Sequence, residues 1–213
     1  DYEIQFGNVK RPTHKNTSWD RARFEVCAHK WADLSEPGYG VALMNDCKYG
    51  YDVHEGVMGL TLIKSGIFPN PDADQGQHEF TYALFPHQGD FRKGSVVREA
   101  YDLNCPMAWE KVQGIYEDSF SMLQIAEENV MADTVKAAED GNGIIVRIYE
   151  TWGMRTKVHV NFPLAPDAQV TVCDCMENFS GVENADMTRA QDGWSFTMKP
   201  YEIKTLRIVN EKK

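Results

Sequence analysis

The stretch VMADTVKAAEDGNGIIVRIY, residues 130–149, holds two apolar-rich segments on either side of a turn. Residues 130–137 and 143–149 have the length and composition that favour short strands. Asp140 and Gly141 lie between them. An Asp-Gly pair is typical of hairpins, because glycine adopts positive φ at no steric cost. The stretch therefore predicts an antiparallel β-hairpin.

Further short strands are predicted around this hairpin. They cover residues 121–125, 157–162, 169–173, 194–198 and 203–209. Turn signals separate them, among them Pro163, Pro166 and the Asp192-Gly193 pair. Seven short strands at this spacing predict a β-sandwich over the second half of the chain, beginning near residue 113.

The first half also favours strands, although its pattern is less regular. Strands are predicted over residues 23–31, 39–44, 57–63 and 78–85, the last of them closed by Pro86. Residues 68–76 are rich in Pro, Asp and Gly and are predicted as a loop. Residues 95–102 fit a helix and a strand equally well. The predicted fold class is therefore all-β.

Composition excludes several classes of protein. With 213 residues, of which 42% are hydrophobic, the chain can bury a substantial core. A net charge of −10 argues against a broad nucleic-acid surface, and no apolar run is long enough to predict a membrane span. Five widely spaced cysteines argue against a disulfide framework and for a reducing compartment. The first residues lack the features of a signal peptide, and we expect the chain to be a part of a longer protein.

Three motifs suggest metal sites, but each lacks necessary ligands. Cys173–Cys175 could present two thiols on one face of a strand, whereas a structural zinc site takes four ligands. Asp72–Gly76 resembles the start of a calcium loop, but Gln77 and Ala83 stand where Gly and Glu are needed. His78 begins no zinc-protease motif, because no second His follows at the required spacing. The sequence therefore predicts no metal site in this chain.

Two segments, residues 11–20 and 29–51, interleave aromatic with charged and amide side chains. This mixture suits sugars, since aromatic faces cover the C–H side of a pyranose while Asp, Asn and Lys bind its hydroxyl groups. The alternative is a set of loop ends whose polar groups are satisfied within the protein. Composition leaves both interpretations open.

Three parts of the sequence resemble the α-mannosidases of glycoside hydrolase family 38, and most of all their cytosolic and bacterial branch. The resemblance is carried by RPTHKNTSWDRARFEVCAHKWADLSEPGYGVALMNDCKYGYD at residues 11–52, DADQGQHEFTYALFPH at residues 72–87 and PYEIKTL at residues 200–206. It implies that the chain is the C-terminal β region of a larger enzyme. Residues 1–112 would be the later part of a β-supersandwich similar to galactose mutarotase, and residues 113–213 a smaller C-terminal β-sandwich.

The resemblance also implies a function for the whole enzyme, which would be cytoplasmic. Such an enzyme removes terminal α-mannose from mannose-containing oligosaccharides with retention, using zinc, a nucleophilic Asp and a second carboxylic acid. Those groups belong to an N-terminal catalytic domain of the same polypeptide. We therefore expect no catalytic residue and no zinc ligand in this chain, and no hydrolysis by the chain alone. The resemblance leaves a homo-oligomer open.

One motif of the family can be placed on this chain. In the Golgi and lysosomal branch, Asp-Arg-Ser-Gln-Gly lies on a loop that approaches the active site, and Asp46–Gly50 resembles it at its first and last positions. Cys47 stands at the Arg position, and the neighbouring Lys48 carries a positive charge without the bidentate fork of Arg. The residues predicted to face the sugar are Asn45, Asp46, Lys48 and Tyr49, with weaker supporting candidates in His29, Asp33 and His78.

Two other functions remain possible from the sequence. The chain could be an independent carbohydrate-binding module, in which exposed aromatics such as Trp19, Trp31 or Tyr49 grip a glycan. It could also be a purely structural domain that supports the catalytic part. Binding by the isolated chain would favour the module, and full activity after changes to Asp46 or Lys48 would favour the structural domain.

Overall fold

A computed structural model describes residues 1–114, 119–179 and 186–210. The chain divides into two compact units, Asp1–Trp109 and Glu110–Lys213. Strands dominate both units, and the described part of the chain holds two helices. The predicted all-β fold is confirmed. Neither helix in the described ranges is long and apolar enough to cross a membrane.

The first unit contains two antiparallel sheets and both helices. Its strands are β1 (Tyr2–Ile4), β2 (Gly7–Val9), β3 (Val26–Cys27), β4 (Trp31–Glu36), β5 (Tyr39–Asn45), β6 (Gly50–His54), β7 (Val57–Thr61) and β8 (Tyr82–His87). Its helices are α1 (Ser18–Ala22) and α2 (Val96–Asn104). One sheet has the order β2-β1-β4-β5-β8, and the other the order β3-β6-β7.

The larger sheet of the first unit buries side chains on both faces, as the alternation of a strand requires. Ala32 and Leu43 point into a core that includes Tyr51 of the smaller sheet. On the opposite face, Trp31 stacks on Phe91 with ring centroids 5.1 Å apart. Helix α2 contacts β4 and β5. These two layers hold the end of β5 in place.

Strand β8 is an edge of the larger sheet, and part of it is uncovered. Tyr82 and Leu84 alternate with less exposed residues, and Leu84 is 66% exposed. Pro86 lies inside β8, opposite Val41 of β5. Proline is tolerated there because an edge strand leaves one row of N–H groups unpaired.

The second unit is a sandwich of two four-stranded antiparallel sheets. Its strands are β9 (Gln124–Ile125), β10 (Val130–Ala137), β11 (Ile144–Glu150), β12 (Thr156–Asn161), β13 (Gln169–Cys173), β14 (Thr188–Ala190), β15 (Gly193–Met198) and β16 (Ile203–Val209). The sheets have the orders β10-β11-β16-β13 and β14-β15-β12-β9. Their facing side chains form one apolar core, which includes Ile148, Val158, Phe196 and Leu206.

A buried glutamate closes one end of this sandwich. Glu150 ends β11, its side chain is fully buried, and its carboxylate accepts five N–H hydrogen bonds. The donors are Asn129 Nδ2 and the main-chain amides of Trp152, Gly153, Met154 and Tyr201, at 2.8 to 3.1 Å. One side chain thus fixes the turn after β11 and the turn before β16.

Several strand predictions are corrected in the first unit. The predicted strand 23–31 is wrong, because the chain leaves α1 at Ala22 and pairs only at Val26–Cys27 before β4 begins. The strand predicted at 78–85 lies at Tyr82–His87 and runs through Pro86 instead of ending before it. The undecided segment 95–102 lies almost entirely in helix α2.

Candidate functional site

A cleft of about 260 Å³ lies at the end of β5 in the first unit. It is lined by His29, Lys30, Asn45, Asp46, Cys47, Tyr49 and Asn104. Four of these were singled out from the sequence: His29, Asn45, Asp46 and Tyr49. The volume is close to the lower end of the range of small-ligand pockets, about 300 Å³.

Asn45 organises the loop that forms one wall of the cleft. Its side chain is buried, and its Oδ1 accepts hydrogen bonds from the main-chain amides of Cys47, at 2.9 Å, and Lys48. Its Nδ2 donates to the carbonyl oxygen of His29, at 3.1 Å, and to the hydroxyl of Tyr51. Asn45 therefore shapes the loop through contacts inside the protein.

Asp46 presents a carboxylate on the exposed side of this loop. Both of its oxygens accept the main-chain N–H of Thr81 at 3.0 Å. That hydrogen bond, together with one from the Cys47 thiol, holds the pKa of Asp46 below its usual value. The same contact raises the pKa of the Cys47 thiol. The carboxylate therefore stays charged at neutral pH and offers acceptor positions to a ligand.

Lys48 and Tyr49 add a cation and an aromatic ring beside the cleft. Lys48 Nζ lies 4.7 Å from the centre of the Phe80 ring in a cation–π contact. Lys48 therefore lies at the rim of the cleft and is not one of the residues that line it. The Tyr49 ring meets the His29 ring edge to face, with centroids 5.6 Å apart. Tyr49 is 57% exposed, so much of its surface is free to contact a ligand.

The structure does not bring Asp33 and His78 to the cleft lining. Asp33 is buried in β4, where Oδ1 lies 2.7 Å from His87 Nε2 and Oδ2 accepts a hydrogen bond from Ser35. His78 lies in an exposed loop, with Nε2 2.7 Å from the carbonyl oxygen of Asp74. Asp33 can support the sheet beneath the site but cannot itself contact a sugar.

Sequence reasoning missed two residues that shape the cleft, Lys30 and Asn104. Lys30 lines it, and its Nζ lies 3.1 Å from Oε1 of the buried Glu3. Asn104 ends α2 and donates from Nδ2 to the carbonyl oxygen of Asn45 at 3.0 Å. Each depends on a partner remote in sequence, 27 residues away for Lys30 and 59 for Asn104, so no local pattern signals them.

The three aromatic residues considered for a sugar-binding module differ in exposure. Trp31 is buried in the core and cannot grip a glycan. Trp19, on α1, is 76% exposed, and Tyr49 lines the cleft. A surface platform at Trp19 and a cleft at Tyr49 would therefore be separate features of the first unit.

The cleft can bind hydroxyl groups but lacks the carboxyl pair of a glycosidase. Among the described residues that line it, Asp46 is the only carboxylate, whereas hydrolysis of a glycosidic bond takes two. In the described ranges, no three His, Cys, Asp or Glu side chains come together as a metal site would need. The arrangement thus suits binding and orientation of a polar ligand such as a sugar.

Two family models match the chain. The model described as "Glycosyl hydrolases family 38 C-terminal domain" matches residues 1–72. The model described as "Glycosyl hydrolases family 38 C-terminal beta sandwich domain" matches residues 129–206. Together they cover well over half of the chain, and one falls in each compact unit.

Curated relatives match almost the whole chain. Alpha-mannosidase G of Dictyostelium discoideum is 40% identical over 222 residues, which cover 99% of this chain. Alpha-mannosidase 2C1 of Homo sapiens is 40% identical over 212 residues, covering 98% of this chain. The chain spans only 20% of the length of each of these relatives.

The fold is shared with a solved structure, an alpha-mannosidase from Enterococcus faecalis. The two superpose with a TM-score of 0.74 at 20% identity, over 97% of this chain and 24% of that one. At this identity the likeness shows the fold alone. The family resemblance carried by residues 11–52, 72–87 and 200–206 is confirmed by the family models and the relatives. The chain belongs to glycoside hydrolase family 38 and corresponds to the C-terminal β region of such enzymes.

Proposed function

We propose that this chain is the non-catalytic C-terminal region of a zinc-dependent, retaining α-mannosidase that hydrolyses terminal α-mannose from oligosaccharides. The observation that carries the proposal is the match of nearly the whole chain, at 40% identity, to proteins named alpha-mannosidase of which it spans one fifth. In this role the chain shapes the substrate site and supports the catalytic domain. The enzyme would work in the cytoplasm, in keeping with the free thiols of all five cysteines.

The chemistry itself is assigned to the rest of the polypeptide. A catalytic zinc takes about three protein ligands, and the described residues of this chain offer no such set. The nucleophile and the acid that protonates the leaving oxygen would lie with the zinc. This chain would contribute contacts that hold and orient the sugar.

The cleft at the end of β5 is the part of the chain that we propose to face the sugar. Asp46 supplies a charged acceptor, the Tyr49 ring an aromatic surface, and Lys48 a cation at the rim. His29 supports Tyr49 from the side, and Asn45 sets the loop on which both Asp46 and Tyr49 lie. Asp33 and His78 would act at a distance, since neither lines the cleft.

The partner of the chain is the N-terminal catalytic part of the same polypeptide. We assign residues 1–112 to the later part of a supersandwich and residues 113–213 to the terminal sandwich. The uncovered side chains of Tyr82 and Leu84 on the edge strand β8 support a first unit that continues into further strands. A second copy of the chain is the other partner that could cover this edge, and the oligomeric state of the full-length protein distinguishes the two.

The direct test compares the full-length polypeptide with this chain alone. Both are incubated with an α-linked mannobiose, and the first sugar released is followed by NMR. We expect the full-length protein to release α-mannose and to stop when a chelator removes zinc, and we expect the chain alone to be inactive. Hydrolysis by the chain alone, release of β-mannose, or an inactive full-length protein would contradict the proposal.

A carbohydrate-binding module is the second candidate, because Trp19 and Tyr49 are exposed aromatics. It predicts saturable binding of an oligomannoside by the isolated chain, lost on Trp19→Ala or Tyr49→Ala. The leading proposal predicts no saturable binding in the same calorimetric titration, because the sugar is held mainly by the catalytic part.

A further inference from the structure

Tyr51 connects the core of the first unit to the cleft, although it does not line the cleft. It lies on β6, its side chain is fully buried, and its ring meets the Tyr2 ring edge to face, with centroids 6.5 Å apart. A buried ring of this kind is fixed by packing on all sides. Its hydroxyl group is therefore held at one point, within hydrogen-bond reach of Asn45 and His29.

The Tyr51 hydroxyl binds groups from both sides of the cleft. It donates to the carbonyl oxygen of His29 at 3.0 Å and accepts a hydrogen bond from Asn45 Nδ2. Asn45 Nδ2 also donates to the same His29 carbonyl, at 3.1 Å. Burial raises the pKa of Tyr51, so the hydroxyl keeps the proton that it donates.

These contacts set the positions of both cleft walls. On one side, Asn45 Oδ1 accepts the amides of Cys47 and Lys48, which fixes the loop that carries Asp46. On the other side, the hydrogen bond to the His29 carbonyl fixes the backbone that carries the His29 ring, which contacts the Tyr49 ring. The amide of Ala28 donates to the Tyr49 carbonyl at 3.1 Å and ties the two walls together once more.

We propose that Tyr51 is a positioning residue for the sugar-binding cleft, acting through Asn45 and His29 on the side chains that face the ligand. This inference rests on the proposed function of the cleft, but the positioning itself can be measured without any substrate. The substitution Tyr51→Phe removes the hydroxyl and leaves the packed ring in place. Tyr2→Phe is the matched control, because it removes a hydroxyl from the ring that contacts Tyr51 in the same core.

Hydrogen exchange measures the positioning in the full-length protein. We expect the Cys47 and Lys48 amides to exchange about tenfold faster in Tyr51→Phe than in the wild type, since the group that holds their acceptor is lost. Tyr2→Phe should leave these two amides unchanged. Equal exchange at these amides in the two variants would overturn the proposal. If Tyr51→Phe does not fold, Asn45→Asp tests the same link, because it removes the Nδ2 donor and keeps Oδ1.

Kinetics of the same full-length variants separate positioning from simple structural support. We expect Tyr51→Phe to raise KM for mannobiose about 3- to 10-fold with kcat little changed, and Tyr2→Phe to leave both unchanged. A raised KM in Tyr49→Ala with a normal KM in Tyr51→Phe would overturn the positioning role and leave the sugar site standing. A normal KM in both variants would overturn the sugar site, and with it the role of Tyr51.

Discussion

The substitution Glu150→Gln should destabilise the second unit by an amount that follows from the hydrogen bonds of Glu150. The Glu150 side chain is fully buried and its two oxygens share five N–H donors. Oε1 accepts from Asn129 Nδ2 and the Trp152 amide, and Oε2 accepts from the amides of Gly153, Met154 and Tyr201. Glutamine has the same shape but only one oxygen. It can serve the three donors at Oε2, and its NH₂ group then faces the two donors at Oε1.

The loss in the free energy of unfolding follows from the two donors at Oε1 that are left without an acceptor. A buried donor left without a partner costs about 1–3 kcal/mol, and hydrogen bonds to a charged acceptor are stronger than neutral ones. We therefore expect Glu150→Gln to lower the free energy of unfolding of the second unit by about 3–4 kcal/mol. Glu139→Gln is the control, because Glu139 is highly exposed and its ion pair with Lys136 lies at the surface. It should change stability by less than about 0.5 kcal/mol.

Native-state hydrogen exchange measures the change in the free energy of unfolding separately for each unit. The slowest amides of β12 and β16 should exchange about 100- to 1000-fold faster in Glu150→Gln, since each 1.4 kcal/mol is a factor of about ten. The core amides of the first unit serve as an internal reference. Exchange in Glu150→Gln that matches Glu139→Gln would refute the assignment of Glu150 as the residue that fixes this end of the sandwich.

Two further predictions concern the second unit. Hydrogen bonds from the Asn178 amide to Asp174 and from the Glu139 amide to Glu177 hold the pKa values of both carboxyl groups below their ordinary range. The stability that these hydrogen bonds contribute is complete above the unfolded pKa of about 4 and is lost as the pH falls through the lower folded values. We therefore expect Tm to decrease when the pH is lowered below about 4, and to decrease less steeply in Asp174→Asn. Gly153 and Gly141 both have positive φ, +74° and +72°, but a Cβ on Gly153 would lie 2.6 Å from the Tyr201 ring, whereas one on Gly141 meets nothing within 4 Å. Gly141→Ala should therefore cost about 1–2 kcal/mol and Gly153→Ala at least about 1 kcal/mol more in thermal unfolding, and equal losses would contradict the packing around Gly153.

Local sequence signals predicted most strands of the second unit, because alternation and turn residues mark each of those strands by itself. The strands Val130–Ala137, Gln169–Cys173 and Ile203–Val209 have the bounds that the pattern predicted. The turn between β10 and β11 has the predicted chemistry, since Gly141 adopts φ +72° and its amide donates to the Ala138 carbonyl. Where the alternation of apolar residues and the turn residues agree, the sequence alone predicts the bounds of a strand.

The first unit departs from the pattern where another local rule is stronger. Thr17 and Asp20 form a reciprocal capping box that begins helix α1, and the chain after it turns through Phe24 with that side chain exposed. The apolar alternation at residues 23–31 therefore does not become one continuous strand, and only Val26–Cys27 pairs before β4 begins at Trp31. Pro86 signals the end of a strand only in a central position, and the edge position of β8 depends on the arrangement of the whole sheet.

The candidate site was found through resemblance, and its construction depends on long-range contacts. Asp33 meets His87 from 54 residues away, and Glu3 meets Lys30 from 27 residues away. The buried partner of Asp33 removes it from the set that can contact a ligand, which its residue type alone could not reveal. Conversely, Tyr51 looks like an ordinary core aromatic, and only the direction of its hydroxyl connects it to the cleft.

The most direct test of the central claim, that the cleft at the end of β5 belongs to the substrate site of an α-mannosidase, is the kcat/KM of full-length variants for mannobiose. Asp46→Asn and Tyr49→Ala should each lower it about 10- to 100-fold, as expected for the loss of one charged or aromatic contact to substrate. Tyr39→Ala is the control, because Tyr39 is 53% exposed against 57% for Tyr49 and begins the strand whose other end forms the cleft. It should leave kcat/KM unchanged. Wild-type kcat/KM in both Asp46→Asn and Tyr49→Ala would contradict the claim and favour a purely structural role for the chain.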